Sequence, residues 1–439
     1  MVCVELFPIC SNARKEEERM KKRGWLALAM ILILAAAMTV FPAMAGGEKA
    51  VYMSGDYQYI LLADGTAEIT NCASEAASLS VPDQLDRYTV TSIGRWAFAG
   101  CRFLTSITLP DRLTSIGEHA FDSCRFLTSI TFPDGLTSIG DEAFAACKSL
   151  ASITLPNGLT SIGEEAFKDC FSLTSVILPD SLTSIGDSAF FQCQSLASIT
   201  FPNSLTSIGG LAFYGCWSLT SVTLPDCLTS IGENPFTGCD QLAQIQVSPD
   251  HPALAVIDGA LFSKAEKKLI CYPCALTQES YTVPNGVTSI EDGAFKGCRF
   301  LKSITLPDSP IHIEENPFTD CDELMRIHVS YNHPTLASIN GVLFSKAEKE
   351  LISYPCASVQ ESYTVPDGIT SIGCDAFYNC RFLTNITLPD SLTGIGEGAF
   401  TFCANKLTFA VGRGSWAANW CHKNRKEYTY PDSLDWLHN

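Results

Sequence analysis

The strongest constraint on the fold is a repeated core, Ala/Pro-Phe-x-x-Cys, that occurs eleven times. The first seven copies follow one another every 23 residues, and the later intervals are 59, 23, 59 and 23 residues. A fixed period of about 20–29 residues rich in Leu-x-x-Ile-x-Leu is typical of leucine-rich repeats. The chain is therefore predicted to form one solenoid, in place of the separate domains that its length alone would suggest. The core cysteines are Cys101, Cys124, Cys147, Cys170, Cys193, Cys216, Cys239, Cys298, Cys321, Cys380 and Cys403.

One unit, residues 104–124, shows how each copy is expected to fold. Residues 106–109, Ser-Ile-Thr-Leu, alternate polar and apolar side chains as a half-buried strand does, and Pro110 ends that strand. A second short extended segment ends at Gly117, and residues 118–124 have room for only one or two helical turns. The fold class predicted is a β-rich solenoid, a stack of parallel strands with short helical turns, two hairpin-type insertions and terminal caps. Its core is expected to be a column of phenylalanines: Phe98, Phe121, Phe144, Phe167, Phe190, Phe213, Phe236, Phe295, Phe318, Phe377 and Phe400.

The consensus Leu-x-x-Ile-x-Leu-Pro-x-x-Leu-x-x-Ile-Gly-x-x-Ala-Phe-x-x-Cys resembles the BspA-like, or treponemal-type, leucine-rich repeat. The resemblance covers about residues 90–406. It implies an exported or surface protein of the kind found in bacteria and some protists. Several such proteins are implicated in adhesion to host matrix proteins or to other microbes, which implies a class of role and no particular ligand.

Two segments, about 247–284 and 329–366, resemble each other and interrupt the repeat. Each contains an Asp-Gly or Asn-Gly turn signal, and in the first we predict strands at Leu261–Ser263 and Leu269–Tyr272. Residues 46–89 are predicted to be an N-terminal β cap with a hairpin around Asp64-Gly65, residues 90–406 the solenoid, and residues 407–439 the C-terminal cap. In that last cap, Ser415 is expected to start a short helix whose Trp416 and Trp420 face the final repeat.

The first 45 residues have the pattern of a secretory signal peptide. Basic residues at 21–23 precede an apolar run from Trp25 to Phe41, and Ala43-Met44-Ala45 provides a small-residue cleavage site. We expect translation to begin at Met20 and cleavage after Ala45, without membrane insertion of the mature chain. The alternative is an uncleaved anchor, since the uncharged window is just long enough to span a bilayer.

Charge excludes one class of partner. The formal net charge is −18, and beyond residue 45 the chain holds 23 basic and 43 acidic residues. Nucleic-acid affinity depends on lysine and arginine neutralising phosphates, so no nucleic-acid partner is expected.

No arrangement typical of an enzyme is found. The repeated cysteines form one inward column, which favours buried thiols over disulfides or zinc. The Cys271-Tyr-Pro-Cys274 segment becomes Ser353-Tyr-Pro-Cys356 in its duplicate, so we interpret it as structural. His251 and His333 precede prolines in duplicated turns and face no triad partners. We therefore expect no catalytic residues, no cofactor and no metal.

The leading hypothesis is a secreted or cell-surface scaffold that binds an extracellular protein or glycan. Alternatives are a structural spacer of the cell envelope and, with less support, an ice-binding or hydrolytic protein. We predict that the partner-binding face consists of the outward residues of the Ser-Ile-Thr strands; exposed hairpins and aromatic side chains are the alternative location. The predicted face is Ser106, Thr108, Ser129, Thr131, Ser152, Thr154, Ser198, Thr200, Ser221 and Thr223.

Overall fold

The computed structural model describes residues 49–404 and 406–431. The predicted signal peptide and its cleavage site lie outside the described residues. Each 23-residue repeat forms one rung of a solenoid, with a first strand, a second strand and a series of tight turns. Within the described part of the chain, no helix is long and apolar enough to cross a membrane.

The first strand of a rung is the Ser-Ile-Thr segment, whose central residue points inward. These strands pair in parallel, as in Ser152↔Ser175, but only in short sheets of two to four strands. They are Ser78–Ser80, Ser106–Thr108, Ser129–Thr131, Ser152–Thr154, Ser175–Ile177, Ser221–Thr223, Gln244–Gln246, Ser280–Thr282, Ser303–Thr305, Arg326–His328, Ser362–Thr364, Asn385–Thr387, Thr408–Ala410 and Glu427–Thr429.

The second strand is the Ser-Ile segment before the glycine. Seven of these strands belong to an 11-stranded sheet that extends from the N-terminal cap to Ser230–Ile231. The continuous sheet is thus built by the second strands, whereas the Ser-Ile-Thr strands, also parallel as expected, form only the short sheets. They are Tyr88–Ile93, Ser115–Ile116, Ser138–Ile139, Ser161–Ile162, Ser184–Ile185, Ser207–Ile208, Ser230–Ile231, Ser289–Ile290, His312–Ile313, Ser371–Ile372 and Gly394–Ile395.

Glycine after the second strand lets successive rungs approach closely. The amide of Gly186 donates to the carbonyl oxygen of Ile162 at 2.9 Å. A Cβ on Gly186 would lie only 2.7 Å from the backbone nitrogen of Glu164 and from the carbonyl carbon of Gly163. Backbone atoms cannot yield as a flexible side chain can, and this explains why the repeat carries glycine there.

The Ala-Phe-x-x-Cys segment forms consecutive tight turns and no α-helix. His119 and Ser123 have φ values of 55° and 59°, which a right-handed helix does not allow. Alternate amides bond within the rung and to the next one: Cys124 N donates to Phe121 O at 3.2 Å, and Phe121 N to Ala143 O at 2.7 Å. The expected short helical turns are therefore absent from this segment. Its tight turns instead form a third ladder of hydrogen bonds between rungs.

All eleven phenylalanines of the predicted column are buried. Neighbouring rings stack nearly parallel, with centroids 5.0 Å apart for Phe98 and Phe121 and 5.4 Å apart for Phe167 and Phe190. Burying each ring contributes roughly 1.5–3 kcal/mol. The predicted core is confirmed.

Each inserted segment is part of a rung of its own. Gln244–Gln246 is its first strand and Lys268–Cys271 takes the place of the second strand, since Leu269 pairs with Ile290 of the following rung. Tyr272 replaces the column phenylalanine, with its ring 5.3 Å from that of Phe295. The predicted strands are present, as Ala260–Ser263 and Lys268–Cys271, and Leu254–Ile257 adds a third. The duplicate has Leu336–Ile339, Val342–Ser345 and Glu350–Ser353.

The hairpin strands contribute side chains to two neighbouring hydrophobic clusters. Leu261 and Ile270 pack in the N-terminal cluster, whereas Phe262 and Leu269 pack in the next one. Neighbouring residues of a strand point to opposite faces, so one strand serves both clusters. The solenoid is therefore continuous across the hairpins.

Both ends of the solenoid are capped. The N-terminal strands Val51–Ser54, Tyr57–Leu61 and Ala67–Cys72 are antiparallel, with the predicted hairpin at Asp64-Gly65, and Gln84–Leu85 pairs with Tyr88–Ile93. The C-terminal helix is Trp416–Lys423, and the amide of Ala418 donates to Ser415 Oγ at 3.1 Å, as predicted for its N-cap.

One detail of the helix prediction is wrong. Trp420 packs against Phe400 and Phe409, with ring centroids 6.0 and 5.9 Å away, but Trp416 is 37% exposed. Ala417, Ala418 and Cys421 form the buried side of the helix, because this side faces the last rung.

Candidate binding surfaces

The predicted binding residues all lie where the first strands face outward. In each strand the central residue, such as Ile153, is buried, and its two neighbours point to solvent. Nine of the ten are exposed and Ser106 is partly exposed. Ser198 and Thr200 are exposed in the same way, although their segment forms no regular strand pairing. We call the ten residues the hydroxyl face.

Most hydroxyls of this face have no partner within the described residues. Ser106 Oγ donates to Ser78 Oγ at 2.9 Å, and Thr223 Oγ1 to Gln246 Oε1 at 3.3 Å. The other eight form no side-chain hydrogen bond in the described part of the chain. By contrast, the threonine that precedes a strand is used internally: Thr128 Oγ1 donates to Thr105 O at 3.0 Å. Two kinds of hydroxyl therefore lie side by side, and only one kind is available to a partner.

The hydroxyl face carries no charge along its length. Its regularity ends where Ile177, 60% exposed, replaces a threonine, and again at Gln244–Gln246 and Arg326–His328. Hydroxyls both donate and accept hydrogen bonds, so such a surface can bind a polar partner over several rungs. No acid, base or nucleophile with a shifted pKa lies on it.

The two duplicated histidines have structural roles. His251 is buried; its Nδ1 accepts from the amide of Leu254 at 3.0 Å and its Nε2 lies 3.1 Å from Pro225 O. A carbonyl oxygen can only accept, so Nε2 is the protonated nitrogen. His333 repeats the arrangement with Leu336 and Ser309. Both rings hold a hairpin against the preceding rung.

Nine of the eleven column cysteines are buried thiols in the structure, and Cys101 and Cys403 are partly exposed. Burial raises the pKa of the Cys170 and Cys216 thiols, which disfavours the nucleophilic thiolate. Cys271 and Cys274 form no disulfide, and Cys274 Sγ instead donates to Lys296 O at 3.0 Å.

A charged pocket that was not predicted from the sequence lies beside the hairpin rungs, where the turn after the second strand is short. Its volume is about 180 Å³, and its lining includes Tyr214, Asp292, Lys296, Glu315 and Asp375. Lys296 Nζ lies 3.3 Å from the hydroxyl of Tyr214. Burial, with a smaller effect of nearby Glu315, raises the pKa of Asp292 to about 7, and burial raises that of Asp375 to about 6.

The pocket forms because the tight turns of the rungs on either side of a hairpin rung contact each other directly, although they are far apart in sequence. Asn234 Nδ2 donates to Gly293 O at 3.0 Å, and Asn316 Nδ2 to Asp375 O at 2.8 Å. These asparagines belong to the Asn-Pro-Phe variant that precedes each hairpin rung, which was the signal available in the sequence. Among the described residues, no group of three or more His, Cys, Asp or Glu side chains could hold a metal ion.

Two strands per rung, tight turns and a stacked phenylalanine column define a leucine-rich-repeat solenoid. The chain belongs to the family of the BspA type leucine rich repeat region, which matches residues 71–179, 160–278, 270–355 and 353–413. A comparison with curated protein sequences finds no match.

Solved structures support the same assignment. A leucine rich cell surface protein from Faecalibacterium prausnitzii is 30% identical over 85% of this chain and 98% of its own, with a TM-score of 0.61. The pneumococcal vaccine antigen PcpA is 18% identical over 88% of this chain and 99% of its own, with a TM-score of 0.53, and shows the fold alone.

Proposed function

We propose that this protein is exported to the cell surface, where it binds an extracellular protein or glycan through the hydroxyl face without catalysing a reaction. The observation that carries the proposal is the row of eight exposed hydroxyls without internal partners. They lie on rungs spaced roughly 4.8 Å apart, with one interruption at the rung of Ile177, and a row of donors and acceptors suits an extended partner.

Two further observations support this role. The similar protein of Faecalibacterium prausnitzii is a cell surface protein, and the N-terminal segment of this chain has the pattern of an export signal. Burial raises the pKa of column thiols such as Cys170 and Cys216, which disfavours the nucleophilic thiolate. If residues 1–45 act as a signal, the intact mass of the exported protein will correspond to a chain that begins at Gly46.

The test is retention of partners on the immobilised mature chain, with host matrix proteins, glycans and bacterial surfaces offered separately. Thr154→Lys places a cation in the middle of the hydroxyl face and is expected to abolish retention. Ile257→Lys is the matched control, because Ile257 is 41% exposed on a hairpin and lies off the face. Loss of binding in the control alone would place the site on the hairpin.

Deleting the hairpin strands would be a poor control. Leu261 and Tyr272 are buried, so a shortened chain would lose core packing as well as surface. Retention of no partner by the wild-type chain would leave the proposal without support and favour a structural role in the envelope.

A further inference from the structure

We infer that a corner formed by Arg102, Phe103, Arg125 and Phe126 is a second binding surface, which takes an acidic, partly apolar peptide segment of a partner protein. We call it the Arg-Phe corner. The inference rests on the proposed role as an interaction scaffold, but it concerns residues outside the hydroxyl face.

The corner comes from a Cys-Arg-Phe-Leu segment that occurs four times, at 101–104, 124–127, 298–301 and 380–383. Cysteine and leucine point toward the core, so the arginine and phenylalanine between them project into solvent. Phe103 and Phe126 are 58% and 59% exposed. The next rungs have Ser149 and Ser172 at the same position, so the fold does not require a phenyl ring there.

The two C-terminal copies differ from the N-terminal pair in how the arginine is used. Arg299 forms an ion pair with Asp240, and Arg381 Nε donates to Asn379 Oδ1 at 2.7 Å. Within the described residues, neither Arg102 nor Arg125 forms an ion pair or a hydrogen bond through its guanidinium. The N-terminal pair is therefore available to an external anion.

The same two arginines are on adjacent rungs, which places like charges close together. Lys148 continues the column on the third rung, with its Nζ 4.9 Å from the ring centroid of Phe171. Like charges repel one another. Asp122 interacts with Arg125 electrostatically, but no carboxylate in the described part of the chain forms an ion pair with either arginine. A bound anion would relieve the repulsion.

A groove runs between the two arginines. It has a volume of about 440 Å³ and is lined by Gly100, Arg102, Ser123, Arg125 and Phe126. Gly100 has φ +68°, but Ser123 adopts 59° at the equivalent position of the next rung, so the backbone does not demand glycine. A Cβ at Gly100 would meet nothing within 4 Å, and the missing side chain leaves the groove open.

The chemistry of the corner favours an acidic peptide. A guanidinium binds a carboxylate through two parallel hydrogen bonds, and arginine with exposed aromatic rings is the composition of protein–protein hot spots. Phenyl rings pack with apolar side chains and offer no hydrogen bond to sugar hydroxyls. Residues two apart in an extended peptide lie on one side about 6.6 Å apart, within reach of two long side chains on neighbouring rungs.

The experiment measures fluorescence anisotropy of a labelled peptide, Gly-Ser-Glu-Leu-Glu-Leu-Glu-Gly-Ser, with the mature chain. A peptide with Gln in place of every Glu is the control probe. We expect the acidic peptide to bind more tightly, with an affinity that falls as salt is added. Replacing both Arg102 and Arg125 with alanine is expected to weaken binding on the order of tenfold.

Two further variants make the test specific. Ser123→Asp places a carboxylate in the groove at a position where Asp169 occurs naturally with the same backbone geometry (φ 58°), and it is expected to reduce binding as well. Arg381→Ala with Phe382→Ser removes the same motif from a C-terminal copy and is expected to change nothing. Unchanged thermal melts will show that the exposed substitutions leave the fold intact.

Equal affinity for the two peptides, or an equal loss in the Arg381/Phe382 variant, would overturn the assignment. So would binding that depends on Arg102 and Arg125 but is seen only with a carboxylated polysaccharide. Partners that are lost with Thr154→Lys and kept by the double-arginine variant would still support the hydroxyl face, so the two proposals fail separately.

Discussion

The thiol of Cys170 donates a hydrogen bond to the carbonyl oxygen of Phe144 on the preceding rung, at 3.3 Å. Cys147 makes the same bond to Phe121 at 3.3 Å, and Cys193 to Phe167 at 3.2 Å. Each phenylalanine carbonyl already accepts from the backbone amide of the cysteine in its own rung, as Phe144 O does from Cys147 N at 3.3 Å, and the thiol of the next rung adds a second hydrogen bond. The thiol is a small, weak donor that fits between the rungs, so the cysteine column is a ladder of bonds between rungs.

This arrangement predicts strong differences in thiol reactivity. Cys170 is buried and burial raises the pKa of its thiol, so it should resist alkylation in the folded protein. Cys227 is exposed and should react quickly. Alkylation followed by peptide mass spectrometry, with and without denaturant, measures both. Modification of Cys170 at the rate of Cys227 in the native state, or its recovery as a disulfide, would contradict the ladder.

The phenylalanine column predicts a large loss of stability from a single truncation. Phe167 is fully buried and stacks on Phe144 and Phe190, with centroids 5.4 Å away on both sides. Phe167→Ala should lower the free energy of unfolding by roughly 3–5 kcal/mol, measured by urea denaturation. Phe126→Ala is the control, since Phe126 is 59% exposed. Similar losses in both variants would refute the inward assignment of the column.

Periodicity explains why the core could be predicted from the sequence. A residue that recurs every 23 positions, like Phe167, must occupy one column in a stack of equal rungs. The column extends further than its phenylalanines, since Tyr272 and Tyr354 stack on Phe295 and Phe377. Both tyrosines lie 23 residues before those rings, so the spacing was visible, but the Tyr-Pro-Cys segment concealed it.

The rest could not be deduced because it depends on contacts between distant rungs. Lys296 and Tyr214 are separated by 82 residues and meet only because the hairpin rung between them has short turns. The same holds for the continuous sheet. Its strands pair because the backbones of neighbouring rungs lie close together at Gly186 and its equivalents. For the hydroxyl face, alternation correctly indicated which residues are exposed but contains no information about a ligand.

The close approach at the glycine column can be tested by adding one methyl group. Gly186→Ala would place a Cβ 2.7 Å from two backbone atoms of the preceding rung, so the two rungs must separate. We expect a loss of roughly 1–3 kcal/mol in unfolding free energy. Gly135→Ser is the matched control, because a Cβ there meets its nearest atom at 3.6 Å and Ser181 occupies the equivalent position. Equal stability of the two variants would show that the rungs tolerate a side chain at the column.

The charged pocket predicts that the protein becomes more stable as pH falls from 8 to about 5. Burial raises the pKa of Asp292 to about 7, whereas in the unfolded chain an aspartate has a pKa of about 3.9. Between these values the folded state binds more protons than the unfolded state, so the free energy of unfolding rises as pH decreases. Asp375, with a pKa of about 6, adds to the effect in the same direction. Thermal melts across this range should show a rising midpoint on acidification in the wild-type chain.

Asp292→Asn should be more stable than the wild type at pH 8 and should vary less with pH, because the amide keeps a similar shape and has no proton to exchange. A wild-type midpoint that falls steadily from pH 8 to 6, or an Asp292→Asn variant with the wild-type slope, would show that the pocket does not hold this carboxylate as described.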